Sequence, residues 1–145
     1  MTDRSLSRRL VAGAAARGPI PGHQRSRWVA AHARPEVESP LESLARAAIV
    51  LDGLPEPTPQ VWLWTTRGWF RVDLMDEVNR LITEADGKLK YTAPEALWQE
   101  KRREDALRAT NCEVIRFTMA DHHNPAPWLR SYREALARAQ HRLRS

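Results

Sequence analysis

The sequence predicts a mixed α/β domain of three layers, in which about four strands form one sheet and helices cover its faces. Segments of helical and strand periodicity follow one another in the order α-β-β-β-α-β-α. A chain of 145 residues has room for one such domain, and 42% hydrophobic residues can supply its core. No apolar run reaches the roughly 18–20 residues that a membrane helix needs, so an integral membrane protein is excluded.

The first element is a helix with a clear start and stop. Ser39, Pro40 and Glu42 form a capping box with proline at the first helical position. Apolar residues then recur at helical spacing up to Leu51, and Gly53 favours termination. Residues 39–51 are therefore predicted to be helical.

The remaining elements follow from periodicity and turn residues. Strands are predicted at residues 60–64, 69–74, 81–86 and 114–118. Helices are predicted from Pro94 to about Thr110 and over the segment after Pro127. Residues 121–127 are predicted to be a loop, including the adjacent His122 and His123. Five tryptophans, Trp62, Trp64, Trp69, Trp98 and Trp128, could stack on bases, although we expect at least Trp98 to lie in the core.

Charge is distributed unevenly along the chain. Twenty of the 23 basic residues are arginines, and the formal net charge is +5. Residues 1–38 carry +4, residues 39–125 carry −3, and residues 126–145 carry +4. The basic ends could bind a polyanion, and the acidic middle could bind a divalent cation. The ordinary alternative is that these charged residues only keep the surface of the domain solvated. We interpret residues 1–38 as a basic N-terminal arm or truncated linker and residues 39–145 as the domain.

Acidic residues of the second and third predicted strands are placed to converge. Strand alternation puts Asp73 on the face opposite Val72, and it puts Glu84 and Asp86 on one face of the next strand. Three carboxylates at one point would repel one another unless a divalent cation lay among them. The alternative is a turn dipeptide at Asp86 and ion pairs with arginines, and the residues alone leave both interpretations open.

Six sequence phrases occur in an order and spacing typical of one family. They are SPLES at 39–43, GLPEP at 53–57, RVDL at 71–74, EADGKLKY at 84–91, EKRREDALR at 100–108 and VIRFT at 114–118. Together they resemble the PD-(D/E)XK nuclease superfamily, particularly its very-short-patch-repair-like branch as found in uncharacterised actinobacterial proteins. This resemblance covers residues 39 to about 136 and implies a restriction-endonuclease-like fold.

The resemblance also implies site residues. Asp73 and Glu84 would be metal ligands for Mg²⁺ or Mn²⁺ with Asp86 near them, and Glu42 would be an accessory carboxylate. The expected motif, an acidic residue followed two positions later by lysine, is displaced, because Asp86 occupies the lysine position after Glu84. Lys88 or Lys90 would then serve the site. The cations expected to contact nucleic acid are Lys101, Arg102, Arg103, Arg108 and Arg116.

The leading hypothesis is a cytoplasmic, metal-dependent DNA endonuclease with no small-molecule cofactor. Its displaced lysine keeps a second hypothesis open, in which the domain is a catalytically inactive DNA-binding or regulatory, antitoxin-like module. An RNA-binding domain that uses arginines and tryptophans is a third. Cys112 is the single cysteine, which excludes an internal disulfide and a cysteine zinc cluster. The oligomeric state is left open by the sequence.

Overall fold

A computed structural model describes residue 31, residues 39–87 and residues 93–145. The prediction of a basic arm over residues 1–38 therefore lies outside the described residues, apart from residue 31. Within the described part of the chain, no helix has both the length and the apolar character needed to cross a bilayer.

The first helix, α1, spans Pro40–Leu51 and begins as the sequence predicts. The Ser39 hydroxyl accepts a hydrogen bond of 3.2 Å from the Glu42 backbone N–H. Gly53 adopts a positive φ of 77°, which allows the chain to leave the helix. The predicted helix is thus confirmed at both ends.

Four strands form one mixed sheet in the order β1-β2-β3-β4. Their bounds are Thr58–Thr65 for β1, Gly68–Asp76 for β2, Leu81–Ala85 for β3 and Glu113–Phe117 for β4. The first three strands pair antiparallel, and β3 pairs parallel with β4. The parallel pair needs a crossover, and helix α2, Pro94–Arg108, lies between β3 and β4 in the chain.

The segment after β4 differs from the sequence prediction. Residues predicted to be a loop include a short helix, α3, at Met119–His123, and the closing helix α4 already begins at Pro125 and runs to Arg144. A reciprocal capping box explains α3, because the Thr118 hydroxyl accepts from the Asp121 N–H while Asp121 Oδ2 accepts from the Thr118 N–H at 2.8 Å. The prediction of a loop over 121–127 was therefore wrong.

Two apolar clusters lie on opposite faces of the sheet. Neighbouring side chains of β3 point to opposite faces, so Leu81 belongs to one cluster and Ile82 to the other. The first cluster joins the sheet to α1 and α4 through Ile49, Leu74, Phe117 and Tyr132, among others. The second includes Met75, Ile82, Cys112 and Leu107 of α2. Helices therefore cover both faces of a four-stranded mixed sheet, as the coarse fold prediction requires.

Helix α2 buries apolar side chains against the sheet only near its C-terminal end. Its buried residues are Ala106 and Leu107. Trp98, near the other end, has 55% of its surface exposed and carries the Arg102 guanidinium 4.2 Å from its ring centroid. The expectation that Trp98 is a core residue was wrong, because the N-terminal half of this helix has no buried face to offer.

Candidate functional site

The candidate site forms where β2 separates from β3. Backbone pairing of these strands runs from Asp76–Leu81 to Leu74–Thr83, so Asp73 is the next residue of β2. At this position backbone pairing stops. The Ala85 N–H donates instead to the side chain of Asp73, at 2.8 Å from Oδ2. The split brings the Asp73 carboxylate to the end of β3, beside Glu84.

Glu84 is the second carboxylate of the site and is mostly enclosed, with 13% of its side chain exposed. Burial raises the pKa of Glu84 to about 8 despite the opposing effect of Arg103, and the Asp73 carboxylate beside it adds to the rise. With this pKa the Glu84 carboxyl carries a proton at neutral pH. A cation placed here would displace that proton.

Arg103 of α2 closes the site from the other side. Its Nη2 donates to Glu84 Oε1 at 3.0 Å and to the Arg71 carbonyl oxygen at 2.7 Å. That carbonyl lies on the part of β2 that has left β3, where the guanidinium supplies a hydrogen bond in place of a neighbouring strand. Arg103 therefore links α2 to both strands and offsets part of the rise in the pKa of Glu84.

Glu42 reaches the same region from α1. It is 5% exposed, and its Oε2 accepts a hydrogen bond of 2.9 Å from Gln60 Nε2. Gln60 lies between the pairs Pro59–Leu74 and Val61–Val72, which places it across from Asp73. Its positive φ of 53° is unusual for a residue with a side chain and turns the strand locally.

Asp86 does not join the other two carboxylates. Its Oδ2 accepts from Arg116 Nη1 at 3.3 Å. The other Arg116 nitrogen donates to Glu100 at 3.0 Å and to Glu104 at 2.8 Å, and its hydrogen bond lowers the pKa of Glu104. Arg116, one of the cations expected to contact nucleic acid, is thus held by three carboxylates of the protein.

The remaining predicted cations divide into two groups. Lys88 and Lys90 lie outside the described residues. On α2, Lys101 is exposed, Arg102 stacks on Trp98, and Arg108 pairs with Glu104 at 2.9 Å. That last pair joins residues four apart on an exposed helix face, where such pairs contribute only about 0.3–0.5 kcal/mol.

The described residues supply two carboxylates for a metal ion. Nowhere in residues 39–87 and 93–145 is a group of three or more His, Cys, Asp or Glu side chains arranged to hold one. Two carboxylates nevertheless fit Mg²⁺, which takes one or two from a protein and completes its shell with water and substrate phosphates. The raised pKa of Glu84 next to Asp73 is the electrostatic situation that such a cation relieves.

A cleft beside the site is lined by three arginines. It lies between the turn of the β1–β2 hairpin and α2, has a volume of about 520 Å³, and is lined by Arg67, Phe70, Arg102 and Arg103 together with Glu100. The Arg103 guanidinium lies 5.9 Å from the Phe70 ring centroid. Forked donors around an aromatic ring suit a phosphate group with an attached base.

Sequence reasoning missed three of these residues, namely Gln60, Arg67 and Phe70. Gln60 carried one weak signal, as a polar residue in a strand of otherwise apolar or aromatic side chains. Arg67 and Phe70 carried none, because their approach to α2 depends on how the hairpin folds over the helix. Asp73 and Glu84, which the sequence analysis gives as metal ligands, do lie next to each other in the structure.

Comparison with known proteins gives no family for the chain, since no family model, curated protein or solved structure matches it.

Proposed function

We propose that this domain is a magnesium-dependent DNA endonuclease, with Asp73 and Glu84 as the metal ligands. The observation that carries the proposal is the contact between these two carboxylates at the split of β2 and β3, where Glu84 holds a proton at neutral pH. Burial of a carboxyl group beside a second one disfavours its charged form, and a bound cation would favour that form again.

The arginine-lined cleft supports a polyanionic substrate. Arg103 belongs both to the cleft and to the carboxylate pair, so a phosphate bound by Arg67 and Arg102 would lie next to Asp73 and Glu84. On phosphate binding Arg103 can exchange Glu84 for a phosphate oxygen, which would release the carboxylate for the metal. Bound Mg²⁺ would supply Lewis-acid stabilisation of the charge on the phosphodiester.

Glu42 and Gln60 have a positioning role in this proposal. The hydrogen bond between them fixes the strand across from Asp73, and the buried Glu42 carboxylate adds negative charge on that side. Asp86 and Arg116 hold the end of β3 against α2, since Arg116 contacts both Asp86 and two glutamates of that helix.

A nicking assay tests the proposal. The full chain is incubated with supercoiled plasmid in Mg²⁺, in Mn²⁺ and in EDTA, and relaxed circles are measured on a gel. We expect nicking in metal and none in EDTA. Asp73→Asn and Glu84→Gln keep the shape of each side chain and remove its charge, so both should abolish nicking.

Glu77→Gln is the matched control, since Glu77 is an exposed carboxylate in the turn after β2. It should nick as the unsubstituted protein does. Nicking that survives both Asp73→Asn and Glu84→Gln would show that the site lies elsewhere. Circular dichroism of each variant separates loss of chemistry from loss of folding.

A second candidate function, a DNA-binding module that does not cut, is favoured by a different observation. Arg103 and Arg116 already contact Glu84 and Asp86 within the protein, so both carboxyl groups have partners without any metal. This function predicts plasmid binding with no nicking in either metal. It also predicts that Mg²⁺ leaves the melting temperature unchanged, whereas a metal site would raise it in the unsubstituted chain and not in Asp73→Asn.

A further inference from the structure

The outer face of the β1–β2 hairpin exposes three tryptophans side by side. Trp62, Trp64 and Trp69 have 59%, 64% and 60% of their surfaces exposed. Trp64 pairs with Trp69 across the strands, and their ring centroids are 5.4 Å apart in an edge-to-face arrangement. Trp62 pairs with Arg71, whose guanidinium lies 5.7 Å from the Trp62 centroid. These four side chains are called the tryptophan face below.

The fold itself does not account for this face. The hairpin already has a packing surface, because Val61, Leu63, Phe70 and Val72 join the second apolar cluster. Strand alternation sends the tryptophans away from that cluster. Exposed indoles on a strand gain nothing from the core, and contiguous exposed aromatic surface of this kind marks a binding site.

The charge around the tryptophan face points to an anionic occupant. Residues 57–72 contain Arg67 and Arg71 and no Asp or Glu. A second copy of this chain would bring two more arginines against these two with no carboxylate from either hairpin to neutralise them, which disfavours self-association through this face. Phosphates would instead be attracted to the same arginines.

We propose that the tryptophan face binds single-stranded nucleic acid, with unpaired bases stacked on Trp62, Trp64 and Trp69 and a phosphate on Arg71. Indole rings interleaved with arginines are the combination that holds an unpaired strand without regard to sequence. In a duplex the flat surfaces of the bases are covered by their neighbours, so the rings could reach only base edges. The face therefore discriminates unpaired from paired strands.

This surface is separate from the carboxylate pair, and the proposal does not depend on cleavage. The tryptophans lie on the outer side of the hairpin, whereas Arg103 and the cleft lie on the side of α2. An unpaired strand held on the hairpin would deliver DNA that is melted, looped or mismatched to this domain. Binding and nicking can accordingly fail independently in an experiment.

Fluorescence titration with oligothymidylate in EDTA tests the proposal while preventing any metal-dependent cleavage. We expect quenching of tryptophan emission and weaker binding of a duplex of the same length. Each of Trp62→Ala, Trp64→Ala and Trp69→Ala should weaken binding roughly 5- to 150-fold, the range reported for loss of one stacked base. Fluorescence anisotropy of a labelled oligonucleotide provides the affinities when indoles are removed.

Trp98→Ala is the matched control, because Trp98 is an exposed indole on α2 outside the tryptophan face. It should bind like the unsubstituted chain. Arg71→Gln should lower the slope of log affinity against log salt by about 0.7, as expected for one lost phosphate contact to a single strand.

Three results would overturn the proposal. The first is unchanged oligothymidylate binding in the triple tryptophan variant with a native circular dichroism spectrum. The second is equal affinity for duplex and single strand. The third is a dimer in sedimentation that becomes a monomer on Trp64→Ala, since the face would then be an interface between two copies of this chain.

Discussion

The two halves of the sheet differ in how much of each strand the protein uses for its own stability. At β3, the consecutive residues Leu81, Ile82 and Thr83 are all buried, because helices cover both sides. Along the β1–β2 hairpin, partly buried residues alternate with exposed ones. The first half is thus a core shared with α1 and α4, and the second is a hairpin with one free face.

The candidate site lies at the border between these halves. Asp73 is the residue at which β2 leaves the fully covered strands, and its carboxylate bonds to Ala85 where backbone pairing stops. A strand that splits leaves polar backbone groups that must find other partners, and Arg103 and Asp73 provide them. The candidate site therefore lies where the well-covered strands meet the hairpin, which has one free face.

The largest expected effect comes from the covered half. Phe117 is fully buried and packs edge-to-face on Trp128, with the two ring centroids 4.8 Å apart. Phe117→Ala should lower the free energy of unfolding by about 3–5 kcal/mol, the cost of a large buried cavity. Urea denaturation measures the change. A loss below about 1 kcal/mol would mean that this half is not the main source of stability.

The site at the border should show itself as a dependence of stability on pH. Glu84 has a pKa of about 8 in the folded chain against 4.5 as its ordinary value. Between these values the folded chain keeps a proton that the unfolded chain has lost, so the free energy of unfolding falls as pH rises, by at most about 1.4 kcal/mol per pH unit. Above pH 8 and below pH 4.5 this contribution stops changing.

Glu84→Gln removes that titration and keeps an oxygen that accepts from Arg103. We measure the free energy of unfolding in EDTA from pH 5 to 9. It should fall less steeply with rising pH in Glu84→Gln than in the unsubstituted chain. Parallel curves for the variant and the unsubstituted chain would show that Glu84 titrates as in an unfolded peptide and would weaken the case for a strained carboxylate pair.

The turn of the strand at Gln60 can be tested with a matched pair of substitutions. Both Gln60→Gly and Gln60→Ala lose the hydrogen bond to Glu42, but only glycine accepts a φ of 53° without strain. Gln60→Ala should be less stable than Gln60→Gly by about 1 kcal/mol. If alanine proved the more stable of the two, the left-handed conformation would not be present in solution.

The smallest expected effect on stability comes from the tryptophan face. Trp62→Ala removes a large side chain that is mostly exposed, so the free energy of unfolding should change by no more than about 0.5 kcal/mol. Thermal denaturation provides the comparison with Phe117→Ala. A loss of several kcal/mol would mean that the hairpin needs these indoles for folding and would leave them no clear role in binding.

Much of the local structure could be predicted from the sequence, since its signals depend on neighbouring residues. The N-cap at Ser39, the alternation of exposed and partly buried residues over Trp62–Trp64 and the turn before Leu81 each act over a few positions. The same reasoning failed at Trp98, because burial of a helix face depends on the distance of that helix from the sheet. It also missed α3, although the Thr118–Asp121 capping box was present in the sequence.

What the sequence determined by itself is the order of the elements and the alternation within most of each strand. That alternation fails in β2 between Val72 and Leu74, which belong to the two different apolar clusters. The tertiary structure alone decided which charges neutralise one another. Asp86 pairs with Arg116, Glu84 with Arg103, and the C-terminal Arg138 and Arg142 both pair with Glu113, so the basic and acidic segments of the sequence are mixed in the fold. Covalent neighbours fix the direction of a side chain, but its partner is set by packing between elements that lie far apart in the chain.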